Sequence, residues 1–317
     1  MILLITGTFD DECDAVVKAL KASGNKAFFR LNADRLYDFY FVDVDLASNA
    51  FTLRHRYTGQ TLHSHEVKTV WWARYTLPAA TWEFFDAHLS AYIDDEYYSS
   101  LIALMACLDE EKVRIINHPV RHLIAGHKPY QQIIAAECGL KLPRQRITNE
   151  LSVFLKQDWS RKAVYKPVSN SQYLTKGRNK YFATVKQINP SLYNSIKNKE
   201  VDMYVHHFQE QLAVKKEYRV TVFGESVFAF RIDGDYDFDW RRYLDKIKFT
   251  YMPQFAYQSQ CIAYMKKMGI HMGCFDFIET TDGNFYFLEC NAPGYFLFCD
   301  PRNKHGLAKR FAEFLLH

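Results

Sequence analysis

The sequence predicts an α/β unit followed by an α+β unit, and three observations carry that expectation. The chain opens as strand, helix, strand; short β-rich stretches replace that alternation from Leu142 onward; and 317 residues exceed one core, since cores stop growing at about 250 to 300 residues. In order, Ile2 to Thr6 is an apolar run of strand length, a helix runs from about Asp10 to Ala22, and Lys26 to Arg30 reads as a second strand. Two strands joined through a helix predict a parallel sheet. Phe39 to Leu46 and Ala50 to His55 alternate as strands do, Val67 to Trp72 reads as a buried strand, and a helical pattern covers Trp82 to about Leu108. Trp71 and Trp72 with Arg74 read as core and rim. Pro119 and Pro129 each stand where a helix can open, and the second begins an amphipathic stretch that ends at Cys138-Gly139.

In the second half, strands are expected over Ala163 to Pro167, Tyr181 to Val185, Val201 to Phe208, Val214 to Phe223 and Ser226 to Ile232. Gly224-Glu225 joins the last two as a tight hairpin, and a helix from Gln254 to Met268 precedes a final hairpin. No internal repeat or low-complexity tract interrupts the chain.

Composition removes several classes of function. Forty Lys plus Arg against thirty-six Asp plus Glu leave a formal charge of +4, too mild and too dispersed to grip nucleic acid. No apolar run approaches the roughly 20 residues that span a bilayer, and the opening Met1 to Ile5 meets Gly7 and Asp10 before it could serve as a signal peptide, so a cytoplasmic protein without membrane partners is expected. Seven cysteines in no CxxC spacing argue against a disulfide framework or structural zinc and read as reduced core residues. The twelve histidines show no HExxH spacing, and Walker A, GxGxxG and GxSxG motifs are absent.

The richest segment is residues 273 to 294, GCFDFIETTDGNFYFLECNAPG. Asp282-Gly283 favours a two-residue type I′ turn, which sets Asp276 directly across from Glu289 and projects Asn291 from the same face. Two facing carboxylates with no Lys or Arg nearby resist ionising unless a cation lies between them; the alternative is a solvated hairpin face with scattered acids. All-oxygen ligands with one carboxamide suit Mg²⁺, which completes its shell with waters and substrate phosphates. A phosphate ligand needs cations too. Lys166, at the end of an apolar strand before the polar loop Val168-Ser169-Asn170-Ser171, reads as a phosphate contact or an edge lysine. Lys128, before Pro129 at a helix start where an anion is favoured, reads as a phosphate contact or a surface lysine. Arg219 and Arg241 match phosphate or carboxylate oxygens, or pair with Glu217 and Asp239.

Taken as an ordered set, these residues resemble the ATP-grasp ligases and, among them, the graspetide synthetases, peptide maturases related to the microviridin ligases. The set comprises Arg30-Leu31-Asn32-Ala33-Asp34, then Asn117, then Lys128 through Gly139-Leu140-Lys141-Leu142-Pro143, then Thr148-Asn149 and Tyr165-Lys166-Pro167. It continues through residues 209 to 224, QEQLAVKKEYRVTVFG, then Asp239-Trp240-Arg241, and closes on Asp276 with Glu289-Cys290-Asn291. The chain departs from the pattern after Asn291, reading Ala292-Pro293-Gly294-Tyr295-Phe296 where many relatives carry Pro-Asn-Gly-Gln-Trp, and the loop after Lys166 lacks the usual glycines.

The resemblance implies an ATP-grasp fold with an N-terminal α/β pre-ATP-grasp domain over 1–117. A central subdomain over 118–208 and a C-terminal subdomain over 209–317 follow, with the nucleotide between them. It implies that Lys128 and Lys166 contact ATP phosphates, that Gln209, Glu210, Gln211 and Leu212 form the hinge against adenine, and that Glu217 lies near the ribose. Asp276, Glu289 and Asn291 would hold Mg²⁺, and Arg219 and Arg241 would face the phosphates and an acceptor carboxylate. The implied reaction activates Asp or Glu side chains of a ribosomal precursor peptide, leader plus core, and closes ω-ester or ω-amide macrocycles; a homodimer is expected on the same ground. A RimK-like ligase that adds an amino acid, or a non-catalytic ATP-binding scaffold, would share many of these residues. Tyr173 to Glu200, with Lys176, Arg178, Lys180 and Lys186 among aromatics, is a candidate leader-binding stretch or else a solvated basic hairpin and helix.

Overall fold

In a computed structural model of the chain, residues 1–73, 87–108, 112–168, 172–174, 180–182, 185–197, 205–236, 240–292 and 294–317 are described. β1 (Ile2–Thr6), α1 (Asp11–Ala22) and β2 (Phe28–Asn32) open the chain, and Asp10 caps the helix by accepting from the N–H groups of Glu12 and Cys13. The second strand begins later than the apolar pattern predicts because Asn25 accepts from the Ala27 N–H and holds that stretch in a turn. After α2 (Leu36–Phe39), an antiparallel ribbon forms from β3 (Tyr40–Asp45), β4 (Ala50–His55) and β5 (Thr61–His63). β6 (Thr69–Trp72), α3 (Ala87–Ala106) and β7 (Arg114–Ile116) complete this part. The start of the helix expected from Trp82, and Arg74, lie outside the described residues.

The first sheet has the order β2-β1-β6-β7 and is parallel throughout, as the strand-helix-strand opening predicts. Both its faces are covered, which is why β1 reads as an unbroken apolar run. On one face α3 and the ribbon bury Leu3, Ile5, Val70 and Trp72; on the other lie α1 and a helix from the far end of the chain.

α4 (Pro119–Ala125) and α5 (Lys128–Glu137) each carry proline in the first turn, where the missing N–H has no helical partner to lose. Then follow β8 (Gln145–Thr148), α6 (Leu151–Leu155), β9 (Ala163–Lys166), the short antiparallel pair β10 (Gln172–Leu174) and β11 (Lys180–Phe182), β12 (Lys186–Gln187), α7 (Pro190–Lys197) and β13 (His206–Glu210). The second sheet has the order β12-β9-β13-β8. One of its faces packs Phe208 on Phe154 at 3.8 Å between ring centres and, with Trp159 and Ile188, makes a small core of its own. The last described strand here starts at His206 and continues to Glu210, past the end that the pattern predicts; 201–204 lie outside the described residues, as does much of the candidate leader-binding stretch.

The third sheet, β16-β15-β14-β17-β18, is antiparallel. β14 (Val214–Phe223) and β15 (Ser226–Asp233) meet at Gly224-Glu225 with Gly224 at φ 57°, the expected tight hairpin. β16 (Lys248–Met252), α8 (Gln258–Met268), β17 (Met272–Thr280), β18 (Phe285–Asn291) and α9 (Leu307–Leu316) close the chain. α8 starts at Gln258 and not at Gln254, since Phe255 and Tyr257 are drawn onto Phe277 before the helix begins. The helix α9 lies between the first and third sheets, with Phe311 against both Trp71 and Phe223.

Candidate functional site

The terminal ribbon brings Asp276 opposite Glu289, as expected, but by a different route. Its turn is a three-residue loop: the Thr280 N–H donates to Asn284 O, the Gly283 N–H donates to Thr280 O, and Gly283 takes φ 80°. In that register Phe277 faces Phe287, which would set Asp276 opposite Leu288. A bulge at Leu288 adds one residue to β18, so that Glu289 faces Asp276 and Asn291 faces Cys274.

The outer edge of β18 is held by side chains of α5 and by the chain beyond it. Gln131 Nε2 donates to Cys290 O at 2.8 Å, and Gln131 Oε1 accepts from the Cys290 N–H at 2.9 Å, as a neighbouring strand would. Gln132 Nε2 donates to the bulge carbonyl of Leu288 at 2.7 Å, and the Phe287 N–H donates to Lys141 O at 2.9 Å. Asn117, buried, clips the base of the ribbon with four bonds. Its Nδ2 donates to Met272 O and Ala292 O, and its Oδ1 accepts from the N–H groups of His271 and Met272. The sequence marks Asn117 only as a landmark and passes over Gln131 and Gln132. A glutamine in the apolar stripe formed by Ile134 and Ala135 was the available signal.

One face of the third sheet carries Glu217 and Arg219 on β14, Asp276 on β17, and Glu289 and Asn291 on β18. The expectation that the two carboxylates have no nearby cation is overturned. Arg219 is the cross-strand neighbour of Asp276 and binds it at 2.8 Å through Nη1, and Arg241 binds the other oxygen at 2.6 Å. Arg241 also reaches Glu289 at 3.2 Å, and Lys128 Nζ stands 3.7 Å from Glu289. The arginines therefore pair with Asp276 and not with Glu217; Asp239 lies outside the described residues. They differ in freedom: the Arg219 side chain is 5% exposed and that of Arg241 45%. Arg219 also donates to Tyr295 O at 3.0 Å, and Gly294 packs so closely that a Cβ there would lie 2.9 Å from the guanidinium.

Burial works against ionisation of Glu289, but Lys128, Arg241 and Lys166 outweigh it and hold the carboxyl below its ordinary range. Burial lowers the Arg219 guanidinium, but Asp276 more than restores it and the charge is secure. Both carboxylates and the Asn291 carboxamide are oxygen donors on one sheet face, a set that suits a hard divalent cation. Arg241, the exposed arm, covers the carboxylate oxygens and is the group that such an ion would displace.

The facing sheet contributes Lys166, whose Nζ donates to Gln209 Oε1 at 2.7 Å. Burial pushes its ammonium down to about 8; Glu289 pulls the other way, Lys128 adds to the fall, and Glu217 and Asp276 oppose it. Lys128, Lys166, Gln209, Glu217, Arg219, Arg241, Asp276, Glu289 and Asn291 thus share one neighbourhood. Glu210 does not join it, since its carboxylate is bound by the Arg144 N–H and Nε, both at 2.7 Å. Gln211 accepts from Gln187 at 3.0 Å, and Leu212 lies half-buried in the link between β13 and β14. Glu217 takes a hydrogen bond from Tyr236. All seven cysteines are free, and the core reading holds for five of them, while Cys107 and Cys138 are only half-buried. Among the described residues no His, Cys, Asp and Glu cluster of three forms, and no helix is long and apolar enough to cross a membrane.

Comparison with known proteins places this architecture. Residues 1–120 match the family model of the MvdD pre-ATP grasp domain. Macrocyclase MdnC bound with precursor peptide MdnA, from Microcystis aeruginosa MRC, is 21% identical with a TM-score of 0.83, over 99% of each chain. A RiPP-associated ATP-grasp ligase from Chryseobacterium gregarium, in complex with ADP and a leader and core peptide, is 22% identical with a TM-score of 0.84, over 99% of this chain and 96% of that one. ATP-grasp ligase PsnB, complexed with minimal precursor, Mg and ADP, is 19% identical with a TM-score of 0.76, over 99% and 96%. No curated protein matches by sequence. The chain has the ATP-grasp fold.

Proposed function

From the premise of an MvdD-type pre-ATP-grasp domain and an ATP-grasp fold along the whole chain, we propose an ATP-dependent carboxylate ligase. It activates Asp or Glu side chains of a ribosomal precursor peptide and closes intramolecular ω-ester or ω-amide bonds. The observation that carries this reading is the gathering of four cations, Lys128, Lys166, Arg219 and Arg241, around the facing carboxylates Asp276 and Glu289. A site for transferring a phosphoryl group needs positive charge fixed where negative charge develops, and acids able to hold a divalent metal.

In this reading Lys128, at the first turn of α5, and Lys166 bind the outer phosphates, and Gln209 to Leu212 line the adenine side. Asp276, Glu289 and Asn291 would hold Mg²⁺, which would supply positive charge against the phosphates. Arg219 stays with Asp276 and orients it. Arg241 swings from the carboxylates to the acceptor side chain of the peptide, whose carboxylate attacks the γ-phosphorus and releases ADP. The acyl phosphate then meets a hydroxyl or amine of the same peptide, the new ester or amide forms, and phosphate leaves. Intramolecular attack gains from proximity, so positioning is the protein's main contribution. The division into 1–117, 118–208 and 209–317, and a homodimer, complete the proposal.

The test is incubation of the purified protein with ATP, Mg²⁺ and a candidate precursor, followed by mass spectrometry. Loss of one water mass per bond within a single peptide, with matched ADP release, supports the reading. A mass gain equal to an added amino acid, or nucleotide binding without ADP release for any acceptor, overturns it.

A further inference from the structure

β13 places His207 directly across from Lys166, two residues before Gln209, on the face that looks toward Glu289 and Asp276. The ring is 3% exposed, and its surroundings determine which nitrogen carries the proton. The Leu288 carbonyl can only accept, so Gln132 must present Nε2 to it, at 2.7 Å, and turns Oε1 to Gln145. Gln145 then donates its Nε2 to Gln132 Oε1 at 3.0 Å, which leaves Gln145 Oε1 for His207 Nε2 at 2.9 Å. An amide oxygen cannot donate, so His207 Nε2 carries the hydrogen and Nδ1 is a bare lone pair. That Nδ1 is buried and has no partner among the described residues.

A second proton on the ring is disfavoured by burial and by the charges of Lys166 and Lys128, which together push the imidazole down to about 4. The structure therefore holds a neutral acceptor beside Lys166, its orientation fixed by a chain of three side-chain amide and imidazole bonds from the terminal ribbon. A buried acceptor left unmade costs about 1 to 3 kcal/mol, so a site that keeps one gains when a ligand supplies the donor. The non-phosphate donors of ATP are its exocyclic amine and its two ribose hydroxyls.

We propose that His207 Nδ1 accepts a hydrogen bond from the adenosine part of the bound nucleotide and so contributes to nucleotide selection. The proposal rests on the nucleotide reading given above and adds a residue to it. Gln145 and Gln132 are positioning residues in this scheme, since they act through the ring.

Equilibrium binding by titration calorimetry on the full chain separates the possibilities, using ATP, inosine triphosphate (which lacks the amine), and 2′-deoxy- and 3′-deoxy-ATP. The wild-type protein should bind one of the three analogues about tenfold more weakly than ATP, the worth of one hydrogen bond. Which analogue it is identifies the donor. His207→Gln keeps an Nε2 donor for Gln145 but has no acceptor at the Nδ1 position. It should lose about tenfold in ATP affinity and treat ATP and that analogue alike. Gln145→Leu, which frees the ring to place its proton on Nδ1, should blunt the same discrimination without contacting the nucleotide. Undiminished discrimination by His207→Gln, or equal wild-type affinity for all four nucleotides, overturns this assignment alone. A wild-type protein that binds no ATP overturns the nucleotide reading and the assignment with it.

Discussion

Arg219 and Arg241 grip the same carboxylate but stand in different surroundings, and the difference predicts how each can be lost. Arg219 and Asp276 are both buried, so Arg219→Ala strips one buried carboxylate oxygen of its donor, leaves Asp276 to the exposed Arg241 arm alone, and should destabilise the protein by about 2 to 4 kcal/mol. Arg241 reaches in from solvent; Arg241→Ala should change stability by less than about 1 kcal/mol while lowering turnover by about 100-fold or more. Chemical denaturation and single-turnover ADP release check the pair, and equal stability losses for both variants would contradict it. Lys166 allows a second prediction. Its folded value of about 8 lies below the ordinary 10.5, so between those pH values the unfolded chain binds more protons and the unliganded protein gains stability as pH rises. With Lys166 as the proposed phosphate contact, ATP affinity should move in the opposite sense, falling as pH rises through 8 because the phosphates would lose a cation. Lys166→Arg should flatten that fall in a pH series of binding titrations.

At the scale of elements, the ribbon β17–β18 is specified more by what surrounds it than by its turn. Asn117 satisfies four backbone groups at the base, so Asn117→Ala leaves several of them buried without partners and should cost about 3 kcal/mol or more. Urea denaturation would show it, and a loss under about 1 kcal/mol would mean that water or a neighbour takes over those bonds. The pairing of Asp276 with Glu289 was legible in the sequence because alternation carries side chains to one face. The Asp-Gly signal misassigned the loop, and only the bulge corrected the register. Its trace is present in the residues: Phe287 and Cys290 both point into the core although their numbers differ in parity, which a regular strand does not allow. The cations on Asp276 were not legible in the segment itself, since Arg219 arrives from β14 and Arg241 from a turn between β15 and β16. Cross-strand register between distant strands leaves no local mark. The covering of β18 by Gln131 and Gln132 was equally hidden, because a helix side chain that completes a sheet edge looks in sequence like any polar residue.

Across the whole molecule, one face of the first sheet and one face of the third share a core, while the second sheet keeps a separate one. Ile2, Leu4 and Trp71 meet Phe223, Met272 and Phe311 in a single cluster, with α9 between the two sheets. Glu12 adds a polar tie: its Oε1 accepts from the N–H groups of Phe296 and Leu297 at 2.7 and 2.6 Å, steadying the loop whose Tyr295 carbonyl is bound by Arg219. The N-terminal sheet is thus a wall of the site's foundation, and a fragment of residues 118–317 would expose that core and should not fold. In the full chain, hydrogen exchange under increasing urea should give β1 and β17 a common midpoint, because neither can open without uncovering the same apolar surface. The second sheet, held by the smaller core of Phe154, Trp159 and Phe208, should open at lower urea. If the proposed site is correct, ATP with Mg²⁺ should raise its midpoint toward that of the others by mass action, since a nucleotide held by both Lys166 and the terminal ribbon would tie the two sheets together. A soluble, cooperatively folded 118–317 fragment, or distinct midpoints for β1 and β17, would show that the two sheets are independent and that the N-terminal part does not hold the site in place.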